Sequence, residues 1–160
     1  MRNNKKIILV TGGAGFIGMH LCQHLCKNKN NYIICLDNLF SGQIDNIIRL
    51  KKNNNFEFVR QNVCTPINLE VEEIYHLACP ASPIYYQKQP VETVRTNIIG
   101  SLNVLELAHK NNAKVLLAST SEVYGDPLEN PQNEKYWGNV NPIGVRSCYD
   151  EGKRCAETLF

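Results

Sequence analysis

The stretch Ile7-Ile8-Leu9-Val10-Thr11-Gly12-Gly13-Ala14-Gly15-Phe16-Ile17-Gly18 decides which fold this chain is expected to adopt. Its first four residues form a short apolar run that is typical of a buried strand. Glycines follow at once, and Ile17, Leu21 and Leu25 then recur at helical spacing. A strand, a glycine-rich turn and a helix are therefore predicted in direct succession.

The rest of the chain continues this alternation of strands and helices. Further strands are predicted at 32–36, 56–59, 73–77 and 114–118, and further helices near 43–51, at 91–110 and from 148 to the last residue. Proline-rich irregular loops are predicted around 80–90 and from 125 to 146. This order predicts an α/β fold, a doubly wound parallel sheet with helices on both faces. Residues 1–160 are expected to form one Rossmann domain.

Composition excludes several classes of function. The net charge of +2 comes without a basic stripe, which argues against nucleic-acid binding. No apolar run approaches the length of a membrane span and no signal-peptide layout is present, so no membrane contact and a cytoplasmic location are expected. Seven cysteines scattered along such a chain are expected to be free thiols.

One short segment, His20, Cys22, His24 and Cys26, has residue types that bind metals. On a helix the cysteines lie two residues, or about 200°, around the axis from the histidines. The four side chains therefore cannot converge on one ion, and no metal site is predicted.

The glycine-rich turn and an aspartate together indicate a dinucleotide site. Gly12 permits the tight turn, Gly15 lets the backbone approach a pyrophosphate, and Gly18 lets the helix pack close to the sheet. Asp37 closes the second predicted strand, where a carboxylate accepts hydrogen bonds from the adenosine ribose and repels a 2′-phosphate. NAD is therefore expected as the cofactor rather than NADP. The alternative is a structural turn beside a solvated aspartate.

A tyrosine and a lysine four residues apart, Tyr149 and Lys153, share one face of the last predicted helix. An ammonium beside a phenol favours the phenolate, so the pKa of Tyr149 is expected to fall toward the range useful for a general base. Thr120 follows the fifth predicted strand, where active sites of doubly wound sheets lie, and its hydroxyl is expected to orient a substrate hydroxyl. The alternative is an ordinary surface pair on a helix.

These residues carry a resemblance to a known family. Residues 11–18, Asp37-Asn38 and the Tyr149–Lys153 pair resemble the extended short-chain dehydrogenases/reductases, many of which act on nucleotide sugars. A closer resemblance, to UDP-glucuronate decarboxylases (UDP-xylose synthases), extends over essentially the whole chain. It rests on four longer stretches: His76-Leu-Ala-Cys-Pro-Ala-Ser-Pro83, Ala118-Ser-Thr-Ser-Glu-Val-Tyr-Gly-Asp126, Tyr136-Trp-Gly-Asn-Val-Asn-Pro-Ile-Gly144 and Arg146-Ser-Cys-Tyr-Asp-Glu-Gly-Lys-Arg154.

The resemblance implies an NAD-dependent carboxy-lyase with UDP-glucuronate as substrate. Tyr149 would take the proton of the sugar 4-hydroxyl as hydride leaves C4, Thr120 would share the hydrogen bonds of that hydroxyl, and Lys153 would hold the nicotinamide ribose. The 4-keto sugar would lose carbon dioxide, assisted by Glu122, and would then be reduced to UDP-xylose. Two alternatives stay open: a nucleotide-sugar 4-epimerase or 4,6-dehydratase, and a truncated, non-catalytic NAD-binding or dimerisation module.

The resemblance also assigns residues around both ligands. Arg95 and Asn103, on the long helix, occupy positions that the family uses for substrate, together with Glu122 and Tyr149; a solvated Arg95 is an equal alternative. The cofactor is expected to contact Gly12, Gly15, Phe16, Ile17, Gly18, Asp37, Asn38, Phe40, Ser41, Gly42, Asn62, Val63, Leu77, Thr96, Tyr149 and Lys153.

The chain departs from the family pattern in places. Asn62 replaces an aspartate that faces the adenine, Cys79 replaces a small hydroxyl residue, and Val145 replaces a proline. The main departure is length: the domain is expected to be incomplete, ending after the Tyr-x-x-x-Lys helix, with the C-terminal strands and the substrate lobe missing. Such a chain alone is expected to be inactive, because catalysis needs positioning. The family further implies a homodimer through the helix at 91–110 and the terminal helix.

Overall fold

The computed structural model describes residues 4–160, which form a five-stranded sheet and five α-helices. The strands are β1 (Lys6–Thr11), β2 (Asn31–Asp37), β3 (Phe56–Arg60), β4 (Glu73–His76) and β5 (Lys114–Leu117). The helices are α1 (Phe16–Leu25), α2 (Ile44–Ile47), α3 (Pro83–Tyr86), α4 (Pro90–Asn111) and α5 (Ser147–Leu159). All strand pairs are parallel and the spatial order is β3-β2-β1-β4-β5, which confirms the predicted doubly wound sheet.

Helices cover both faces of this sheet because successive strand side chains point to opposite sides. On one face Ile8, Val10 and Ile33 pack in a core with Cys22 of α1. On the other face Leu9, Ile34 and Ile74 pack with Val104 and Leu107 of α4. The strands are therefore the middle layer of a three-layer domain.

The direction in which the chain winds reverses at β1, since β1 pairs with β2 on one side and with β4 on the other. The two crossover connections therefore leave in opposite directions and open a crevice at the carboxyl ends of these strands. Gly12 follows β1 and Leu77 follows β4, so both residues lie at this crevice.

Three local features differ from the sequence-based expectation. The predicted helix at 43–51 is split into α2 and a 3-10 turn at Leu50–Lys52. The expected irregular loop contains α3, which begins at Pro83, a position where the missing N–H and the fixed φ of proline suit a helix start. Another 3-10 turn, Ser121–Tyr124, follows β5. These elements are too short for hydrophobic periodicity to reveal.

The segment at 125–146 is an ordered loop without a helix, as predicted. Its ends are joined by an isolated bridge between Gly125 and Asn139, with the Asn139 amide donating to the Tyr124 carbonyl at 2.8 Å. Gly125 has φ +65°, and a Cβ there would lie 2.3 Å from the Asn139 carbonyl oxygen. The loop therefore returns the chain to the sheet edge just before α5.

Residues 4–160 contain neither a membrane-spanning helix nor a cluster of metal-binding side chains. None of the helices there combines the length and apolar character that spanning a bilayer requires. The same residues contain no group of three or more His, Cys, Asp or Glu side chains placed to hold a metal ion. All seven cysteines have free thiols, and Cys22, Cys26 and Cys35 are buried in the core.

Candidate active site

A cavity of about 540 Å³ lies at the carboxyl ends of the central strands. It is lined by every residue that the sequence placed at the cofactor: Gly12, Gly15, Phe16, Ile17, Gly18, Asp37, Asn38, Phe40, Ser41, Gly42, Asn62, Val63, Leu77, Thr96, Tyr149 and Lys153. Its size is in the range of ordinary ligand pockets. The fold thus brings together one end of α1, the end of β2 and one face of α5.

The glycine-rich turn forms the end wall of the cavity. Gly12 has φ +71°, and a Cβ there would lie 2.8 Å from the Ala78 amide nitrogen. A Cβ at Gly18 would lie 2.3 Å from the Gly12 carbonyl oxygen. These close approaches put the N-terminus of α1, whose first amides have no partner within the helix, against the cavity. Such a helix end favours an anionic group.

Two backbone amides hold the Asp37 carboxylate at the end of β2. Oδ2 accepts a hydrogen bond from the Ala14 amide at 3.0 Å, and Oδ1 accepts one from the Leu39 amide at 2.8 Å. Gly42 leaves room beside it, since a Cβ there would lie 2.9 Å from Oδ1. The carboxylate is therefore oriented in advance, at the rim of the cavity, with lone pairs left for a ligand hydroxyl.

Tyr149 lies on α5, and its ring stacks on Tyr86 with the centroids 5.1 Å apart. Burial raises the pKa of Tyr149 above its ordinary value, and the neighbouring Thr120 side chain opposes that rise. The expectation that the pKa falls is wrong for the free protein. Removal of the phenolate from water outweighs its local stabilisation.

The Lys153 ammonium was expected to lower the pKa of Tyr149, but it is bound elsewhere. The side chain is buried, and Nζ donates to the Ala118 carbonyl at 2.8 Å. Burial lowers the pKa of Lys153. The ammonium is thus engaged at the end of β5, and it is not among the largest contributions to the pKa shift of Tyr149.

Four residues that the sequence assigned to catalysis or substrate do not line the cavity. Thr120 caps the 3-10 turn after β5, where its Oγ1 accepts from the Glu122 amide at 3.2 Å, and it reaches the site only through Tyr149. Glu122 forms an ion pair with Arg146. Arg95 pairs with Glu92 at 3.6 Å, and Asn103 donates to the Val63 carbonyl at 2.8 Å. In this structure Asn103 therefore tethers a loop.

Several cavity residues were not assigned to a ligand from the sequence: Gln61, Ala78, Pro80, Ala81, Ser82, Tyr85, Glu92 and Ser119. Four of the eight, Ala78, Pro80, Ala81 and Ser82, belong to the loop after β4, a stretch that the sequence marked only by its prolines and by the family resemblance. Cys79 also lies in the lining, and burial raises the pKa of its thiol. Asn62 is engaged on both sides, since Oδ1 accepts from the Cys64 amide at 2.9 Å and Nδ2 donates to Glu92 at 3.3 Å.

A buried histidine supports the floor of the site. His76 Nδ1 lies 2.7 Å from Thr11 Oγ1, and Nε2 lies 3.4 Å from Ser101 Oγ. Burial, helped by the nearby charge of Lys153, lowers the pKa of His76 to about 3. The imidazole is therefore neutral at physiological pH and connects β1, β4 and α4.

This depressed pKa predicts loss of stability in mild acid. The unfolded chain binds the proton at an ordinary histidine pKa of about 6.5, so the free energy of unfolding falls, by at most ~1.4 kcal/mol per pH unit, as pH drops from there toward 3. Urea unfolding at pH 7 and pH 5 should show a smaller pH effect for His76→Gln than for the native chain. His109→Gln, at an exposed position, is the control. If the free energy of unfolding of His76→Gln changed with pH as much as that of the native chain, His76 would not be the group responsible.

Comparison with known proteins identifies the family. The family model described as GDP-mannose 4,6-dehydratase matches residues 9–160. The chain belongs to this family. The resemblance to extended short-chain dehydrogenases/reductases seen in the sequence is thereby confirmed.

Individual relatives agree with the family. UDP-glucuronic acid decarboxylase 6 of Arabidopsis thaliana is 61% identical over 153 residues, which are 96% of this chain and 45% of that protein. UDP-N-acetylglucosamine 4-epimerase of Methanobrevibacter ruminantium, solved with UDP-N-acetylmuramic acid, superposes with a TM-score of 0.81 at 29% identity, over 97% of this chain and 49% of its own. dTDP-glucose 4,6-dehydratase of Bacillus anthracis, solved with NAD, has a TM-score of 0.79 at 28% identity, over 96% and 49%. This chain thus spans about half the length of these family members.

Proposed function

We propose that this chain carries the NAD-binding and catalytic half of a UDP-glucuronate decarboxylase. The observation that supports it most is that Tyr149, one helical turn from Lys153, shares a cavity with the glycine-rich turn and Asp37. The 61% identity to a plant UDP-glucuronic acid decarboxylase favours this member of the family over others.

The cavity offers partners for the adenosine half of NAD. The N-terminus of α1 would receive the pyrophosphate, with Gly12, Gly15 and Gly18 leaving room for it. The Asp37 carboxylate would accept the ribose hydroxyls. When bound, NAD would supply the acceptor that removes hydride from C4 of the sugar and later returns it.

Tyr149 would act as the base on the sugar 4-hydroxyl. The pKa of Tyr149 is raised in the free protein, so the phenolate needs positive charge nearby during turnover. The nicotinamide ring of bound NAD and the Lys153 ammonium would supply that charge. Thr120 would hold the same hydroxyl in line, since its side chain lies near enough to Tyr149 to affect its pKa. Lys153, held by the Ala118 carbonyl, would orient the nicotinamide ribose.

The loss of carbon dioxide follows from the chemistry of the oxidised sugar. A 4-keto sugar acid is a β-keto acid, so the C5–carboxylate bond breaks and its electron pair moves into an enolate. A proton is then added at C5. We assign Glu122, two residues beyond Thr120, to assist at the sugar ring in these steps, and Arg95 and Asn103 remain assigned to the substrate by resemblance.

One assay tests the proposal. The chain is incubated with UDP-glucuronate and NAD while carbon dioxide and nucleotide-sugar products are measured. UDP-xylose with one carbon dioxide per turnover is expected if this half is sufficient. A 4-epimer or a 4,6-dehydrated product without carbon dioxide would favour the epimerase or dehydratase activities of its structural relatives. NAD binding without turnover would favour a non-catalytic module, consistent with its half length.

Asp37 provides a test of cofactor choice. Asp37→Asn replaces the charged carboxylate by a neutral amide. The hydrogen bond from the adenosine ribose hydroxyl, worth ~1.5–3 kcal/mol when its acceptor is charged, is then weakened. The repulsion between the carboxylate and a 2′-phosphate is also lost. Calorimetric titration should show weaker NAD binding and relatively stronger NADP binding. Asp45→Asn, at an exposed position on α2, is the matched control. An unchanged NAD-to-NADP ratio in Asp37→Asn would contradict the role of this residue.

We also propose a homodimer that forms through α4 and α5. These helices pack against each other closely, since a Cβ at Gly152 would lie 2.9 Å from Asn97 Nδ2. Apolar side chains on α4 remain exposed, with Val91 72% and Leu102 42% accessible. Sedimentation analysis of Leu102→Glu should show a monomer where the native chain is a dimer.

A further inference from the structure

Arg146 connects the two segments that carry the proposed catalytic groups. Its carbonyl accepts the Tyr149 amide at 2.8 Å and the Asp150 amide at 3.1 Å at the start of α5. Its guanidinium pairs with Glu122, in the 3-10 turn that Thr120 caps. The arginine therefore lies between the turn after β5 and the first turn of α5.

The ion pair with Glu122 is accessible to solvent. The side chains of Arg146 and Glu122 are 49% and 31% exposed, and no further hydrogen bond from the guanidinium is found within residues 4–160. A partly exposed pair of long side chains is held weakly, because solvent screens the attraction and pairing costs conformational entropy. The guanidinium is thus free to exchange one carboxylate for another.

Asp150 offers the second carboxylate. It lies one helical turn after Arg146, on the same face of α5, and it is 8% exposed. Its Oδ1 is the only buried side-chain oxygen or nitrogen without a hydrogen-bond partner in the described part of the chain. Burial raises the pKa of Asp150, and the charge of Arg146 opposes that rise, so the two groups already interact.

We propose that Arg146 is a positioning residue with two carboxylate partners: it pairs with Glu122 in the free protein and moves to Asp150 when substrate enters. This move releases Glu122 toward the sugar and gives Asp150 Oδ1 the donor that it lacks. The inference rests on the proposed function, because it takes Glu122 as a group that acts at the sugar ring.

The first experiment needs no ligand. The Nε–H signal of Arg146 is followed by ¹⁵N NMR in the full chain and is assigned by its loss in Arg146→Lys. Asp150→Asn should shift this signal more in a Glu122→Gln background than in the native background, because the arginine has moved to Asp150. Glu151→Gln is the matched control, since Glu151 pairs with Arg154 at 3.7 Å. Equal effects of Asp150→Asn in both backgrounds would overturn the proposal.

The second experiment adds UDP-glucuronate and NAD to the native chain. The Arg146 signal should move to the position that it has in Glu122→Gln. If signals around Tyr149 shift while the Arg146 signal keeps its free position, the proposed exchange is wrong although the substrate binds. If no signal shifts, the proposed function fails for this chain, and the ligand-free experiment still decides whether Arg146 has two partners.

Discussion

In a preparation that decarboxylates UDP-glucuronate as proposed, replacement of Tyr149 by phenylalanine is expected to lower the rate of carbon dioxide release by ~10²–10⁴, the usual contribution of a positioned acid or base. The variant keeps the ring that stacks on Tyr86, so the fold and the cavity wall are retained. It loses only the hydroxyl, whose pKa the neighbouring Thr120 side chain affects. NAD affinity should change little, which separates a chemical defect from a binding defect. Product formation and NAD titration on the same preparation measure both.

Tyr75→Phe is the matched control for this variant. The Tyr75 hydroxyl donates to Glu73 at 2.8 Å on β4, and Tyr75 is not part of the cavity lining. Its removal should leave turnover unchanged. If Tyr149→Phe retained more than about a tenth of the native rate, against the ~10²-fold minimum expected of a general base, another group would have to take the proton.

Alanine substitutions at Gly18 and Gly15 are expected to have different effects. A Cβ at Gly18 would lie 2.3 Å and 2.6 Å from backbone atoms of Gly12 and Gly13, so the turn must shift. Overpacking of this kind costs ~1–3 kcal/mol of the free energy of unfolding. A Cβ at Gly15 has only the Gly12 carbonyl oxygen near it, at 3.3 Å, and φ there is −74°, so the free chain tolerates it.

Both variants should bind NAD weakly, for separate reasons. Gly15→Ala places a methyl group where the pyrophosphate approaches the backbone, and a loss of at least ~1.4 kcal/mol, or tenfold in Kd, is expected without a change in stability. Gly18→Ala should lose affinity together with stability. Urea unfolding and NAD titration distinguish the two. Normal NAD binding by Gly15→Ala would show that the cofactor does not contact this turn.

The alternation of strands and helices was predictable because each element depends on neighbouring residues. Ile7 to Val10 are apolar in succession, as a strand buried on both faces requires, and α1 and α4 show helical spacing. The cofactor residues could be placed as a group because glycines after β1 and an aspartate after β2 must meet at one edge of a parallel sheet. Elements of four residues, such as α3, are too short to show a period.

The side-chain partners of the site could not be predicted in this way. Asn103 is predicted to contact substrate, and only the structure shows that its amide bonds the Val63 carbonyl, forty positions away in the chain. Lys153 was expected to lower the pKa of Tyr149, but its ammonium bonds the Ala118 carbonyl and burial raises that pKa. In each case the outcome depends on distances of a few ångströms between separate elements.

Local periodicity and chain topology were enough to predict the parallel sheet, the glycine-rich turn, the position of Asp37 and the order of Thr120, Tyr149 and Lys153. The burial of each group and the pairing of charges follow from contacts between elements that are far apart in the chain. Two examples are the ion pair between Arg146 and Glu122 and the buried Asp150 Oδ1, which has no hydrogen-bond partner. Desolvation and ion pairing depend on the packing around each group, and packing is a property of the whole domain.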